Sequence, residues 1–231
     1  MATTATLKGT EGQGMGQNAL MRLHGVSCIV GGIFLAAFVL IHPWDQLLGA
    51  EIARTAQWRL AHTFHFAGAA FALLGLPGLF AQQRAALGRI GVTGFALSFI
   101  GNAMFLGTGM ITAFIWPMLA IYAPTCVAVG GPIFASPISA VAFVLTAVIL
   151  VTGYLLFGIA TLWIGVLPRM AILILVVGAI LGMLPPHPAG PLPWWALVVG
   201  GVLYGAGLIW LGIFLWIRNP PASKSVTYAT S

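Results

Sequence analysis

Six apolar stretches alternate with short polar segments along this 231-residue chain, and each stretch approaches the length of a membrane span. An α-helix needs about 20 apolar residues to cross the hydrocarbon core of a bilayer. The apolar residues run continuously instead of alternating with polar ones, which argues against a transmembrane β-barrel. The pattern predicts an all-α integral membrane protein, a bundle of six transmembrane helices. The predicted spans are residues 23–41, 60–80, 90–115, 138–166, 170–184 and 194–217.

Prolines mark the ends of three of these spans. Pro43 follows the first span, Pro117 the third and Pro185 the fifth. Each is expected to end its helix, because proline lacks a backbone donor and its ring clashes with the preceding helical turn. The fifth span is the shortest, and a helix of that length crosses where the bilayer thins or where neighbouring helices shield its ends.

The basic residues indicate how the spans are oriented. With six spans both termini face one side, and cytoplasmic segments carry the excess of Lys and Arg. The side that holds the termini contains Lys8, Arg22, Arg84, Arg89, Arg169, Arg218 and Lys224, and the opposite side contains only Arg54 and Arg59. We therefore expect a multi-pass protein of the plasma (inner) membrane with both termini in the cytoplasm. The expected divisions are a flexible cytoplasmic tail at 1–20, a six-helix domain at 21–218 and a C-terminal cytoplasmic tail at 219–231.

Composition supports the membrane assignment and narrows the partners. Hydrophobic residues make up 60% of the chain and charged residues 5%, whereas a soluble domain carries about 25% charged residues. The net charge of +6 comes from basic residues scattered singly at the ends of spans. Nucleic-acid binding needs a concentrated basic patch, so the expected partner is the lipid bilayer and nucleic acid is not expected.

The centres of the predicted spans contain no Asp, Glu, Lys or Arg. Ion-coupled transporters and pumps normally depend on such groups within the membrane, so the sequence counts against both classes. Asn102, in the third span, is the strongest polar group near mid-membrane. Its amide needs a hydrogen-bond partner, which is either another helix or a bound ligand.

Histidines provide the one cluster of potential ligands. His42, His62, His65 and His187 are expected at the outer, non-cytoplasmic ends of their spans, and His62 and His65 share a helix face because they are three residues apart. Three interpretations stay open. The histidines are simply tolerated near water, or His65 alone or with His42 ligates a haem or bacteriochlorophyll axially. The third is a transition-metal site, whose candidate ligands are His42, His62, His65, Asp45 and Glu51.

Two features predict contacts with protein partners. The segment 116–137 contains no charged residue, which is unusual for a loop in water, so we expect a lid over the outer end of the helices or an interface. Gly178 and Gly182, like Gly201 and Gly205, are four residues apart. Small residues at this spacing let helices approach closely, within the bundle or between proteins.

Three stretches carry a resemblance to a broader group of proteins: "RLHGVSCIVGGIF", "WRLAHTFHFAGAAFALLGLPGLFAQQ" and "GIATLWIGVLPRMAILILVVGAIL". Together they resemble small bacterial polytopic membrane proteins of unknown function. The resemblance implies a helical membrane fold over nearly the whole chain. It brings no catalytic motif and implies no activity.

The sequence favours a non-enzymatic role, because no nucleophile–base set, phosphate loop or pair of carboxylates falls within a span. The leading hypothesis is a structural or accessory subunit of a membrane complex. One alternative is a tetrapyrrole- or metal-binding subunit for electron or energy transfer that uses the outer histidines. A second alternative is a binder or transporter of a small hydrophobic molecule without ion coupling.

Overall fold

The computed structural model describes residues 3–44, 49–183 and 193–219, with side chains from residue 16 onward. These residues are helical and contain no strand. The long helices are packed into one bundle, and shorter helices lie between them. The helices are α1 (Thr3–Ile41), α2 (Ala50–Ala53), α3 (Ala56–Ala81), α4 (Gly88–Met110), α5 (Trp116–Tyr122), α6 (Pro132–Ala135), α7 (Pro137–Ile164), α8 (Arg169–Met183) and α9 (Trp194–Arg218).

Five helical segments among the described residues are long and apolar enough to cross a membrane: Gly16–Ile41, Ala56–Ala81, Gly88–Tyr122, Pro137–Ile164 and Trp194–Arg218. Large apolar side chains such as Leu40, Ile138 and Trp163 are exposed on their outward faces, as expected where lipid is the solvent. The chain is therefore a multi-pass membrane protein. The predicted fifth span corresponds to α8, whose 15 residues give a helix of about 22 Å.

The six long helices form a closed ring in chain order. Each of α1, α3, α4, α7, α8 and α9 packs on the next, and α9 packs back on α1. Neighbours are antiparallel: on α1 and α9, Gly25 meets Gly212 and Gly32 meets Gly205. We call the end of the bundle that holds Ile41 the outer end, and the opposite end the inner end.

Glycines set the distance between α4 and α7 in the inner half of the bundle. A Cβ atom at Gly153 would overlap the backbone of Ser98, and one at Gly101 would overlap the backbone of Leu150. Towards the outer end the two helices diverge, since a Cβ at Gly107 would have no neighbouring atom within 4 Å. The seam between α4 and α7 is therefore tight in the inner half and open in the outer half.

The prediction that Pro117 ends the third span is wrong. One continuous helical segment runs over Gly88–Tyr122, with a π-helical turn at Ile111–Ile115 between α4 and α5. Pro117 falls in the first two positions of α5, directly after the π-turn. The proline thus changes the local helix type instead of ending the helix.

Trp58 connects this π-turn to the beginning of α3. Within the turn, the backbone N–H of Trp116 bonds to the carbonyl of Ile111, and Pro117 has no N–H to offer Thr112. The carbonyl of Thr112 accepts a buried hydrogen bond of 3.0 Å from the indole Nε1 of Trp58 instead. A buried side chain therefore satisfies a carbonyl that the irregular turn releases.

The uncharged segment 116–137 packs across the outer end of α3 and against α2. Arg54 fixes it by donating from its guanidinium to the carbonyl of Ala120, with Nε at 2.8 Å. Apolar side chains on the other side of the segment, including Met118 and Tyr122, are exposed. The buried cluster beneath it is formed by Ile52, Ala53, Trp58, Trp116, Ala120 and Val127.

The predicted tails are only partly described. α1 begins at Thr3, so the backbone of most of the segment 1–20 is helical, and its flexibility stays a prediction. Residues 220–231 lie outside the described part of the chain. The division into two tails and a six-helix domain is therefore not tested.

Candidate functional site

Three predicted histidines come together at the outer end of the bundle. His42 follows the last residue of α1, and His62 and His65 lie in the first turns of the neighbouring helix α3. The ring centres of His42 and His62 are 5.1 Å apart, and those of His62 and His65 are 6.0 Å apart. Antiparallel packing of α1 on α3 produces this arrangement, because it sets the end of one helix beside the beginning of the other. We call His42, His62 and His65 the histidine cluster.

Aromatic rings enclose the histidine cluster. Trp44 lies 3.9 Å from His42 and Trp58 lies 4.1 Å from His62, measured between ring centres. His65 lies between two phenylalanines. Its ring centre is 4.7 Å from that of Phe38, with which it stacks, and 4.1 Å from that of Phe105. The three histidines are between 3% and 9% exposed, so they are not the wet interfacial side chains of the simplest interpretation.

The ring nitrogens in the histidine cluster lack ordinary hydrogen-bond partners among the described residues. This holds for Nδ1 of His42 and for both ring nitrogens of His62 and His65. The backbone of Phe105 lies near enough to His65 to interact with its ring as a weak hydrogen-bond partner. Burial lowers the pKa of His42, the first residue after its span, to about 4. The His42 ring is therefore neutral at pH 7.

The carboxylates predicted beside these histidines do not join the cluster in the described structure. The side chain of Glu51 is 92% exposed and pairs with Arg54 at 3.5 Å. Asp45 and His187 lie outside the described residues. Among the residues that the structure does describe, no group of three or more His, Cys, Asp and Glu side chains could hold a metal ion.

A cavity of about 250 Å³ lies beside the histidine cluster, inside the outer half of the ring. Apolar side chains from α1, α4, α7, α8 and α9 line it, and Phe38 and Phe105 separate it from His65. Neither His42 nor His65 lines the cavity. Three of the residues that line it carry hydroxyl groups, Thr108, Thr146 and Tyr204, and Trp44 also lines it. We call this space the central cavity.

A closed hydrogen-bond network forms the inner end of the central cavity. The Asn102 amide donates to the Tyr154 hydroxyl at 2.9 Å and to the Ser98 carbonyl at 2.7 Å. The Tyr204 hydroxyl donates to Asn102 Oδ1 at 3.1 Å and lies 2.6 Å from the Tyr154 hydroxyl. Each donor in this network therefore has an acceptor when Tyr154 donates to Tyr204. The partner that Asn102 requires is supplied by other helices, which supports its reading as a contact between α4, α7 and α9.

A lateral groove opens between α4 and α7 beside the central cavity, where the two helices diverge. It has a volume of about 570 Å³ and includes the π-turn and Gly107. The groove and the central cavity share Thr108, Phe143 and Thr146. The uncharged segment 116–137, which we call the outer segment, contributes Trp116 and Ile133 to the wall of this groove. We call this opening the lateral groove. The outer segment, which was predicted to be a lid, therefore borders the groove and does not line the central cavity.

Sequence reasoning identified the histidines and Asn102 but missed their surroundings. The phenylalanines that enclose His65 are ordinary span residues, and nothing in their spacing distinguishes them from packing residues. Tyr154 and Tyr204 were detectable, because each places a hydroxyl within a span and each hydroxyl requires a partner. Matching these two tyrosines with Asn102 would have required the order of the helices in the ring.

Comparison with models of protein families, with curated proteins and with solved structures finds no match to this chain. The resemblance to small bacterial polytopic membrane proteins stays a prediction. A functional conclusion therefore has to come from the chemistry of the histidine cluster, the central cavity and the lateral groove.

Proposed function

We propose that this protein binds a small, largely apolar molecule that carries a hydroxyl group, in the central cavity of the outer half of the bundle. The observation that carries the proposal is an apolar space of about 250 Å³ lined by three hydroxyl-bearing residues whose hydroxyl groups already donate elsewhere. This is the second alternative that the sequence left open, a binder without ion coupling.

The size of the central cavity limits the ligand. An apolar cavity of about 150 Å³ in a protein interior is large enough for benzene, so about 250 Å³ suits a substituted ring or a short branched chain. Ligand pockets are typically apolar with a few placed polar groups. A molecule of roughly a dozen non-hydrogen atoms fits both conditions.

The hydroxyl groups of the central cavity favour a ligand that donates a hydrogen bond. Thr108 donates to the carbonyl of Met104, and Thr146 donates to that of Ala142. Tyr204 donates to Asn102. A hydroxyl group has one donor and two acceptor positions, so what these side chains still offer a ligand is acceptor capacity. A phenol or alcohol satisfies them, whereas an ether or ketone does not.

The lateral groove provides a route from the membrane. It opens among exposed apolar residues of α4 and α7, where lipid contacts the bundle. Thr108, Phe143 and Thr146 line both the groove and the central cavity. An apolar molecule concentrated in the bilayer would reach the cavity through this opening without crossing water.

The proposal includes six spans with both termini in the cytoplasm of a cell with an inner membrane. α8 lies antiparallel along α9, because Gly178 meets Tyr204 near mid-bundle and Gly182 meets Gly200 towards the outer end. Membrane thinning around a shielded helix of this length supports a sixth crossing. Arg84, Arg89 and Arg169 all lie at the inner end, which supports a cytoplasmic inner end.

Equilibrium dialysis with 4-bromophenol tests the binding proposal. The protein in lipid nanodiscs should show saturable binding above that of empty nanodiscs. Ala147 lines the central cavity, and Ala147→Trp should abolish the saturable component by filling it. The neighbouring Val148 is 54% exposed, so Val148→Trp is the matched control and should bind as the unchanged protein does.

A second ligand isolates the role of the hydroxyl group. 4-Bromoanisole replaces the phenol donor with a methyl ether, and it should bind about fivefold more weakly, which corresponds to about 1 kcal/mol for one hydrogen bond. Equal binding of both ligands would contradict the donor preference. Equal binding to Ala147→Trp and the unchanged protein would contradict the site itself.

An accessory-subunit role is the second candidate, and one observation favours it. The outer segment exposes Met118, Ile121, Tyr122 and Val129 together, and contiguous exposed apolar groups at a membrane surface are typical of protein contacts. Native electrophoresis of protein extracted in mild detergent tests this role. Migration as a single monomer species would exclude a stable complex.

The tetrapyrrole hypothesis stays a prediction. His65 would have to turn its ring edge away from Phe38 and Phe105 to reach a haem iron or bacteriochlorophyll magnesium. An absorbance spectrum of protein purified from its native membrane tests it. A strong Soret band that is lost in His65→Ala would support the hypothesis, and a colourless protein would reject it.

A further inference from the structure

The lateral groove is longer than an entrance to the central cavity needs to be. On its α4 side it follows one continuous helical face from Met104, through the π-turn, to Leu119. This step of 15 positions along a helix corresponds to about 22 Å. The groove also has a volume of about 570 Å³, whereas the central cavity has about 250 Å³. A space of this size can hold part of a ligand as well as admit one.

The groove meets the central cavity part of the way along its length. Thr108, Phe143 and Thr146 line both spaces. From Thr108 to Leu119 the groove continues for 11 positions, or about 16 Å, towards the outer end. That is about half of the roughly 30 Å hydrocarbon core, the depth that the chains of one lipid leaflet occupy. The outward part of the groove therefore matches a hydrocarbon chain in length.

The lining of the groove suits a hydrocarbon chain chemically. The described residues that line it are mostly apolar and include no charged side chain. The Thr112 hydroxyl donates to the carbonyls of Thr108 and Gly109, and the hydroxyls of Thr108 and Thr146 also donate within their own helices. A charged group would find no counter-charge in this lining, whereas a chain of methylene groups finds surroundings as apolar as lipid.

We propose that the ligand of the central cavity carries an apolar chain and that this chain lies in the lateral groove. The inference rests on the proposed function and narrows the ligand to a phenol or alcohol with a hydrocarbon tail. The hydroxyl end occupies the central cavity, and the tail leaves past Thr108 and Thr146. Ile111 and Ile115 are exposed in the groove wall, so the tail exchanges lipid for a similar apolar surrounding. The groove therefore determines where the tail lies more than how tightly the ligand binds.

Competition between two phenols tests the position of the tail. 4-Octylphenol is titrated at equilibrium against bound 4-bromophenol, with the protein in lipid nanodiscs. Ala142 lines the lateral groove and not the central cavity, so Ala142→Trp should leave 4-bromophenol binding unchanged. Displacement by 4-octylphenol should need at least about tenfold more competitor in this variant, because overfilled contacts typically have costs of this order.

The matched control is Ala140→Trp. Ala140 and Ala142 both lie on α7 and are both exposed, but Ala140 lines neither the groove nor the central cavity. Its replacement should change neither the binding of 4-bromophenol nor its displacement by 4-octylphenol. Partition of 4-octylphenol into the lipid is the same for both variants, so it does not affect the comparison.

Crystals of the unmutated protein give an answer that does not depend on the variants. They are soaked in 4-(8-bromooctyl)phenol, whose bromine marks the far end of the tail. The bromine should give an anomalous peak in the lateral groove outward of Thr108, on the side of Ile115 and Leu119.

Two results would overturn the position of the tail and leave the proposed function intact. The first is equal displacement of 4-bromophenol by 4-octylphenol from Ala142→Trp and Ala140→Trp. The second is a bromine outside the lateral groove in crystals whose phenol ring occupies the central cavity. Failure of the unchanged protein to bind 4-bromophenol is a different result, since it contradicts the proposed function and this inference together.

Discussion

Two buried polar sets, the Asn102 network at the inner end of the central cavity and the histidine cluster at the outer end of the bundle, differ in whether their polar atoms have partners. At the inner end of the central cavity, Asn102, Tyr154 and Tyr204 satisfy one another across three helices. In the outer half, His62 and His65 are equally buried, yet their ring nitrogens have no such partners in the described residues. Buried polar groups in native proteins are nearly always hydrogen-bonded. The first set is therefore expected to stabilise the fold, and the unpartnered nitrogens of the second set are expected to cost stability.

Helix packing follows the same division. Glycines bring the backbones of α4 and α7 together in the inner half, and a Cβ atom at Gly153 would overlap Ser98. At Gly107 the same two helices leave open space, and the lateral groove occupies it. A seam that is tight at one end and open at the other creates access to the interior without loosening the whole bundle.

The largest predicted effect comes from adding a side chain where the backbones of α4 and α7 are in contact. Gly153→Leu should lower the free energy of unfolding by about 3 kcal/mol or more, because backbone on the facing helix leaves no room for the side chain. Gly107→Leu changes the same residue type on the open half and should cost less than about 0.5 kcal/mol. Thermal unfolding in detergent measures the loss of stability of both variants. Equal losses would show that the inner and outer halves of the seam between α4 and α7 do not differ in packing.

The hydrogen-bond network should show the next largest effect. Tyr154→Phe removes the hydroxyl that links Asn102 to Tyr204, and it should destabilise the protein by about 2 kcal/mol because both partners stay buried. Tyr122→Phe is the control, since Tyr122 is 78% exposed. Chemical denaturation compares the two variants. A Tyr154→Phe protein as stable as the control would show that the network contributes nothing.

Trp58 tests how the outer segment is attached. Trp58→Phe keeps an aromatic ring beside Trp116, with which Trp58 stacks at 5.5 Å, but removes the donor to the Thr112 carbonyl. The expected cost is about 1 kcal/mol, with faster proteolysis within residues 116–137. Trp163→Phe, at a position that is 73% exposed, should change neither. Unchanged proteolysis of Trp58→Phe would mean that the π-turn does not need this bond.

The smallest predicted effect is a gain in stability instead of a loss. His62→Phe replaces two unpartnered nitrogens with carbon in an aromatic surrounding, and should stabilise the protein by up to about 1 kcal/mol. Thermal unfolding in detergent measures the change. A destabilised His62→Phe protein would indicate that this histidine serves stability, as Tyr154 does.

The sequence predicted the helical membrane fold well because apolar length alone decides whether a segment can span a bilayer. Five spans are confirmed at the level of length and composition, and the beginning of α9 at Trp194 agrees with the prediction. The error at Pro117 arose because a proline rule for isolated helices was applied to a helix that neighbours can stabilise. Trp58 is 54 positions from Thr112 in the sequence and donates to its carbonyl across the bundle.

The candidate site was only partly accessible to sequence reasoning. The histidines at positions 62 and 65 were found from their spacing, and the adjacency of His42 followed from the hairpin of α1 and α3. The central cavity could not be found, because it exists only where five helices converge. The lateral groove includes Gly107, which has no neighbouring atom within 4 Å of an added Cβ, and glycines that pack and glycines that leave space have the same sequence signature.

Anomalous diffraction from crystals soaked in 4-bromophenol tests the central claim most directly, because bromine reports its own position. The account predicts one strong bromine peak inside the outer half of the ring, with the phenol oxygen near the hydroxyls of Thr108, Thr146 or Tyr204. Bromine found only on lipid-facing surfaces, with the central cavity closed by its own side chains, would contradict it.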